Sequence, residues 1–445
     1  MLTAVGVRLS IMMFLEFFVW GSWYVTAPLY LGKIGFGGAD FALTYSVGPI
    51  AALVAPLFVG MVADRFFATE RVLGSMHVLG GVIMLFATSL MSPENPAAAT
   101  TINLVFFAHT LCYFPTLSLT NSLAMHNIQD SEKEFPLIRV FGTIGWIIAG
   151  LALSWLGWGE SIEMFHLTGG AAIVMGLYCF TLPHTPPPAR GQQVSMGKLL
   201  GADALVLFKS RSFTIFILSS FLICIPLAFY YQLAAKSVQQ AGVADVAAKM
   251  TLGQGSEILF MILMPIFFRR LGVKWMLAVG MFAWVVRYAL FAVGAPAGVA
   301  WMMLGGIVLH GICYDFFFVT GQIYTDRVAH KEIRGQAQGL LAMLTIGLGM
   351  LIGAQIAGVI EERYTPEAST ALSAQVQEIG ARIAQLQQSG AAQTEIAQLT
   401  AEQSQKAMEA LQLMDWQTIW AIPAALAGLI LLLFLALFRD ERGKA

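Results

Sequence analysis

Five ionisable residues stand inside apolar stretches of this chain: Glu16, Arg139, Glu257, Arg287 and Asp315. An ionisable group at the centre of a bilayer costs roughly 2.5–3.5 kcal/mol on insertion scales, so each needs a counter-charge or a wet cavity. Three acids opposite two bases can largely neutralise one another. A structural ion pair accounts for any one of them, but poorly for all five together. Their neighbours favour a cavity. Arg139, Thr143 and Trp146 fall at i, i+4 and i+7, on one helical face. Gln254 and Glu257 lie three apart and share a face, and His310 and Tyr314 are one turn apart with Asp315 adjacent. Glu16, Trp20 and Trp23 form one stripe, and Tyr230, Tyr231 and Gln232 cluster in a later stretch. Aromatic faces stack on rings, while charged and amide groups bond hydroxyls. The grouping suits a small, flat, multiply hydroxylated solute.

Other chemistries find little support. No phosphate-binding Gly-rich loop followed by Lys and Ser/Thr occurs; Gly191 to Lys198 has the wrong spacing, which excludes ATP-driven transport. No HExxH is present, and Cys112, Cys179, Cys224 and Cys313 lie singly in apolar runs, as buried thiols do. The net charge of −1 offers no basic surface for nucleic acid. Neither an enzyme, a metal site nor a cofactor is expected. Energy has to come from an ion gradient or from the solute's own.

The elements that position these residues follow from composition. Hydrophobic residues make up 58% and charged residues only 11%, against roughly 25% charged in a soluble domain. Lipid is therefore the solvent for most of the chain. Twelve runs meet the roughly 20-residue requirement for a spanning helix: 8–31, 41–63, 72–92, 102–125, 136–156, 162–182, 212–235, 246–268, 275–294, 299–324, 335–359 and 417–438. The first carries Glu16 and lacks a basic leader, so it reads as a retained helix rather than a cleaved signal. With both termini cytoplasmic, 17 of the 25 Lys and Arg fall on the cytoplasmic side and six outside, which sets an N-in, C-in topology.

Pro183 and Pro186 to Pro188 open a basic, polar connection over 184–211 that reads as a cytoplasmic linker. It divides a six-helix half over 1–183 from a second over 212–445. Weak repeats support parallel halves: Ile138-Arg139 and Ile333-Arg334 each introduce a Gly-rich span, and Asp64-Arg65 corresponds to Arg269-Arg270. Residues 361–415 stand apart, with eight acids against three bases. Leu372, Val376, Ile379, Ile383 and Leu386 repeat in steps of four and three, and Ile396 and Leu399 resume the pattern after Ser389-Gly390. This predicts an extracytoplasmic helical hairpin with no part in transport.

Several stretches taken in order resemble a known group. They are Trp20-Gly-Ser-Trp23, Gly60-Met-Val-Ala-Asp-Arg65, Tyr113-Phe-Pro-Thr-Leu117 and Phe135-Pro-Leu-Ile-Arg-Val-Phe-Gly-Thr-Ile-Gly145. Thr181-Leu-Pro-His184, Ser256-Glu257, Tyr314-Asp-Phe-Phe317, Ile333-Arg334 with Ala337-Gln-Gly339, and Asp415-Trp-Gln-Thr418 complete the set. With them the chain resembles the bacterial nucleoside:proton symporters of the major facilitator superfamily. The resemblance implies an all-α membrane protein with that superfamily's fold, twelve transmembrane helices in two six-helix halves. It implies proton-coupled nucleoside uptake by a monomer in the inner membrane, with lipid, solute and protons as partners.

Residue by residue, Arg139, Thr143 and Trp146 match the family's base-side positions, and Gln254 and Glu257 its ribose-side positions. Tyr314 and Asp315 match its tenth-helix aromatic and acid, while His310 stands where a tyrosine is expected. Helix seven departs: Ala228 and Tyr231 occupy positions where the family has Gln and Asn, and Gln232 lies about 100° further round. Glu16 replaces a usual Gln. A sugar or polyol symporter, or a transport-inactive sensor, are the alternatives. For coupling, Asp315 is expected to be the principal proton carrier, Glu257 mainly a solute ligand and Glu16 the rival carrier.

Overall fold

The computed structural model describes residues 3–65, 67–129, 131–186, 202–330, 333–389 and 393–439. Most of the proline-rich linker, including Pro187, Pro188, Arg190 and Lys198, lies outside the described residues, as do Lys331, Arg442 and Lys444.

Among the described residues every regular element is helical, as a chain in lipid requires when each backbone polar group must be satisfied within its own segment. The first half contains α1 (Ala4–Gly21), the short α2 (Ala27–Lys33), α3 (Gly38–Arg65), α4 (Thr69–Ser89), α5 (Ala99–His126), α6 (Ser131–Trp155) and α7 (Glu163–Cys179). The second contains α8 (Arg211–Gln240), the one-turn α9 (Val246–Met250), α10 (Leu252–Gly294), α11 (Ala300–Val328) and α12 (Arg334–Arg363). The pair α13 (Glu367–Ser389) and α14 (Gln393–Gln412) follows, and α15 (Trp416–Leu437) closes the chain.

Nine helices among the described residues are long and apolar enough to cross a membrane. One of these spans, Val246–Gly294, holds two of the expected crossings, and α3 and α7 supply two more, which accounts for all twelve. The double crossing turns at Gly272, whose φ of 68° and ψ of 179° only glycine adopts without strain. The halves repeat one pattern of packing. In the first, α1 packs on α6 and α4 on α7; in the second, α8 packs on α12 and the far arm of α10 on α15.

Three features depart from the expected helices. The first span is not continuous to residue 31: α1 stops at Gly21, where the backbone abuts Trp146. Ser22 there gives its hydroxyl to Val19 O at 2.9 Å and meets Thr168 at 2.8 Å, and Pro28 starts α2. Second, α11 and α12 each contain a widened π turn, Tyr314–Val319 and Met343–Gly349, a feature found often at functional sites. Third, α8 continues to Gln240, five residues past its expected end. Lys236 is thereby buried, and it pairs with Glu361 of α12.

The two halves meet chiefly through α3 against α12 and α6 against α9 and α10. Gln355 donates to Ser46 Oγ at 2.7 Å across this seam, and Gly38 and Gly358 let the backbones touch. These contacts lie toward the end that carries the α13–α14 pair. That pair packs along Val376, Gly380 and Ala410, with Gln403 donating to Val376 O at 3.0 Å. It also reaches the first half: Gln388 bonds Glu94 at 2.9 Å.

Candidate solute-binding site

A cavity of about 290 Å³ lies between the halves, at mid-depth in the bundle. Of the residues singled out in the sequence, Arg139, Thr143, Trp146, Tyr231, Gln254, Glu257, His310 and Tyr314 all line it. They come from α6, α8, α10 and α11, and they converge because each stripe is one face of one helix.

Glu257 is the meeting point. Thr143 of the first half donates to Glu257 Oε1 at 3.4 Å, and His310 Nε2 of the second half lies 3.9 Å from Oε2. This carboxylate is thus addressed from both halves. Arg139 sets its guanidinium 4.0 Å over the Phe17 ring, with no carboxylate within ion-pair distance among the described residues. Such a cation, resting on a ring and facing a cavity, is free to meet a solute. Two buried groups at the wall also lack partners among the described residues: Gln254 Oε1, an acceptor, and Trp20 Nε1, a donor. Native interiors rarely leave such groups unpaired, so a ligand or water is their natural partner.

The walls are aromatic. Trp20 and Trp146 meet edge to face at 5.2 Å, Trp20 and Tyr24 at 5.5 Å, and Tyr24 and Tyr231 at 5.3 Å across the two halves. These rings close the end nearest the α13–α14 pair. At the other end the lining continues through Asn121, Gln322 and Gln338. Gln338 entered only within a matched stretch and the other two were not singled out in the sequence, although the signal existed: Asn121 and Gln322 are polar residues inside or at the edge of apolar runs, and Gln322 follows Tyr314 by eight positions, on the same stripe.

Three expected residues lie elsewhere. Gln232 is fully buried and donates to Glu361 Oε2 at 2.9 Å, beside Lys236, so it braces α8 against α12. Glu16 is also fully buried, but inside the first half, where His77 Nε2 at 2.8 Å and Thr116 Oγ1 at 2.7 Å hold its two oxygens. Its titratable neighbour, His77, is supplied by α4 rather than by its own helix. Asp315 is 0% exposed and outside the cavity wall, and neither carboxylate oxygen has a partner among the described residues. Tyr314 faces the solute space, and the next residue on a helix points about 100° away.

Two larger cavities, of about 510 and 590 Å³, lie beneath the α13–α14 pair and are lined largely by α2, connecting segments and that pair. The smaller central one brings together two of the five intramembrane charges, Arg139 and Glu257, with the unpartnered Gln254 and Trp20 groups and the rings, and it is the candidate site.

Comparison with known proteins identifies what the chain is similar to. Residues 3–443 match the family model described as nucleoside H+ symporter. The chain is 39% identical over 369 residues to YegT of Escherichia coli (strain K12), covering 80% of this chain and 84% of that one. It is 28% identical over 448 residues to the nucleoside permease NupG of the same organism, covering 97% and 95%. The crystal structure of the nucleoside transporter NupG superposes with a TM-score of 0.79 at 26% identity, covering 99% of this chain and 100% of that one.

Proposed function

The chain belongs to the nucleoside H+ symporter family, and from that premise we propose that it carries nucleosides into the cell together with protons. The observation that carries this reading is the cavity itself. A base finds flat partners in Trp20, Trp146, Tyr24 and Tyr231, and sugar hydroxyls find Glu257, Gln254, His310 and Thr143. Stacking and hydroxyl recognition within one small chamber match a ring joined to a polyhydroxylated sugar.

The protein is an integral membrane transporter with the major facilitator fold, and no step requires a nucleotide or a metal. Both termini belong on the cytoplasmic side of the inner membrane, where the excess of Lys and Arg lies. The α13–α14 pair is then external, and the conformation is closed outside and inward-facing. Transport proceeds as the halves rock about the cavity: the α3–α12 seam and the Tyr24–Tyr231 contact part, and the amide-lined end closes. Asp315 carries the proton and Glu257 binds solute.

The test is uptake of labelled uridine and adenosine into proteoliposomes, with and without an imposed pH gradient. Accumulation above equilibrium for at least one nucleoside, abolished when the gradient is collapsed, is expected. Gradient-driven uptake of a sugar with no nucleoside uptake would overturn the assignment.

A further inference from the structure

Arg287 is an intramembrane charge that the transport scheme leaves without a role. It is 0% exposed and lies outside the cavity wall. Among the described residues no carboxylate lies within ion-pair distance of it, and its Nε and Nη2 have no hydrogen-bond partner. Its guanidinium carbon sits 3.4 Å over the ring of Tyr230, and Nη1 lies 3.3 Å from His310 Nδ1. His310 is in turn stacked between Tyr230, at 5.8 Å, and Tyr314, at 5.9 Å. Its far nitrogen, Nε2, faces Glu257 Oε2 at 3.9 Å.

Hydrogen-bond chemistry then fixes the imidazole. A guanidinium has donors only and keeps its charge, so the nitrogen it meets has to be an acceptor. Nδ1 is therefore unprotonated, and the one ring proton of a neutral imidazole sits on Nε2. We infer that Arg287 is a positioning residue for solute recognition: it holds His310 as the Nε2–H tautomer, which presents a donor to the cavity beside the Glu257 acceptor. A donor and an acceptor 3.9 Å apart suit a pair of neighbouring hydroxyls, one accepting from Nε2–H and the other donating to the carboxylate. This inference rests on the central cavity being the nucleoside site, and it adds that a vicinal diol is what the His310–Glu257 edge reads. The orienting partner on the second nitrogen follows the general rule that one imidazole nitrogen is set by the bond the other makes.

Two measurements test it independently. The first is the ¹⁵N spectrum of protein labelled at histidine, with the His310 signal identified by its loss in His310→Gln. An unprotonated Nδ1 and a protonated Nε2 are expected in the wild type, retained in Arg287→Lys and lost or mixed in Arg287→Met. A wild-type spectrum with the proton on Nδ1 would overturn the inference, whether or not any nucleoside binds.

The second is equilibrium binding of uridine against 2′,3′-dideoxyuridine. Arg287→Met should weaken uridine about five- to tenfold while leaving the dideoxy analogue nearly unchanged, and Arg287→Lys should recover most of the loss. Should the arginine variants fail to insert, the histidine pair decides. His310→Gln, with its amide near the Nε2 position, should keep the preference for uridine, and His310→Asn, with its amide near Nδ1, should lose it. The reverse order, or equal loss for both ligands, would refute the role. Absence of binding of either nucleoside to the wild type would instead sink the nucleoside assignment, with the spectrum still deciding the tautomer.

Discussion

The seam between α3 and α12 allows a sharp perturbation. A methyl group built on Gly358 would lie 2.5 Å from Ala42 Cβ and 2.5 Å from the Gly38 carbonyl oxygen. Carbon and oxygen do not approach so closely, and neither neighbour is a flexible side chain that can swing aside. Gly358→Ala therefore cannot fit the present closed seam unless the two helices separate. Overpacking of this kind costs about 1–3 kcal/mol. If the halves rock apart at this seam during transport, the open state bears no such cost, and the equilibrium shifts toward it by about 5- to 150-fold.

The four cysteines Cys112, Cys179, Cys224 and Cys313 are all buried, so labels introduced at the exposed positions Ala39 and Arg363 would react selectively. Spin-label distances between Ala39→Cys and Arg363→Cys should show a longer component growing in Gly358→Ala, together with slower net uptake and normal insertion. An unchanged distance distribution with unchanged uptake would mean that α3 and α12 do not separate in the cycle, and the rocking scheme would fail.

Gln254→Ala should weaken nucleoside binding by about 0.5–1.5 kcal/mol, the worth of one net hydrogen bond, with folding unaffected; titration calorimetry on purified protein checks it. Asp315→Asn should abolish accumulation against a gradient yet keep solute binding and exchange, whereas Glu16→Gln should accumulate normally. The opposite pattern in proteoliposomes would move the proton to Glu16. Lys236→Met should destabilise the fold by about 3–5 kcal/mol, because it strands Glu361 in a buried position, and Lys236→Met with Glu361→Met should restore much of the loss in a thermal melt. Removing 368–412 should leave uptake within about threefold, since the bonds from this hairpin to the first half are weak: Gln388 to Glu94 is exposed, and Gln377 to Ile34 O is long at 3.5 Å.

The crossings were legible in the sequence because lipid imposes a single demand, a long apolar run, that needs no knowledge of neighbours. The stripes Arg139–Thr143–Trp146, Gln254–Glu257 and His310–Tyr314 were legible for a similar reason, since each is a face of one helix fixed by its period. What the sequence withheld were the contacts between helices. The partners of Glu16 were not legible because His77 and Thr116 come from α4 and α5. Gln232 looked like a site residue because nothing local revealed Glu361, 129 positions away, as its partner. The end of α8 was set too early because Lys236 counted as a loop charge, whereas pairing with Glu361 lets it stay in the helix. The π turn at Tyr314 has no sequence signature that periodicity detects.

These placements bear on how proton and solute are coupled. Glu16 makes its contacts within the first half, so rocking the halves changes little around it. Glu257 is held by Thr143 from one side and faces His310 on the other, so its surroundings change whenever the halves move. Asp315 lies within the second half, away from Arg139, so an approaching guanidinium does not act on it in this conformation. Its buried, unpartnered carboxyl depends on water instead: a carboxylate charge left there would be uncompensated, the condition under which a carboxyl exchanges its proton as its surroundings dry or wet. If Asp315 carries the proton, the π turn that holds Tyr314 and Asp315 together is the link, because a solute pressing on the Tyr314 ring would act on the same turn of backbone that seats the acid. Coupling on this view passes through one distorted helical turn, with Glu257 sensing which half-to-half arrangement is present and Asp315 sensing whether that arrangement has admitted water.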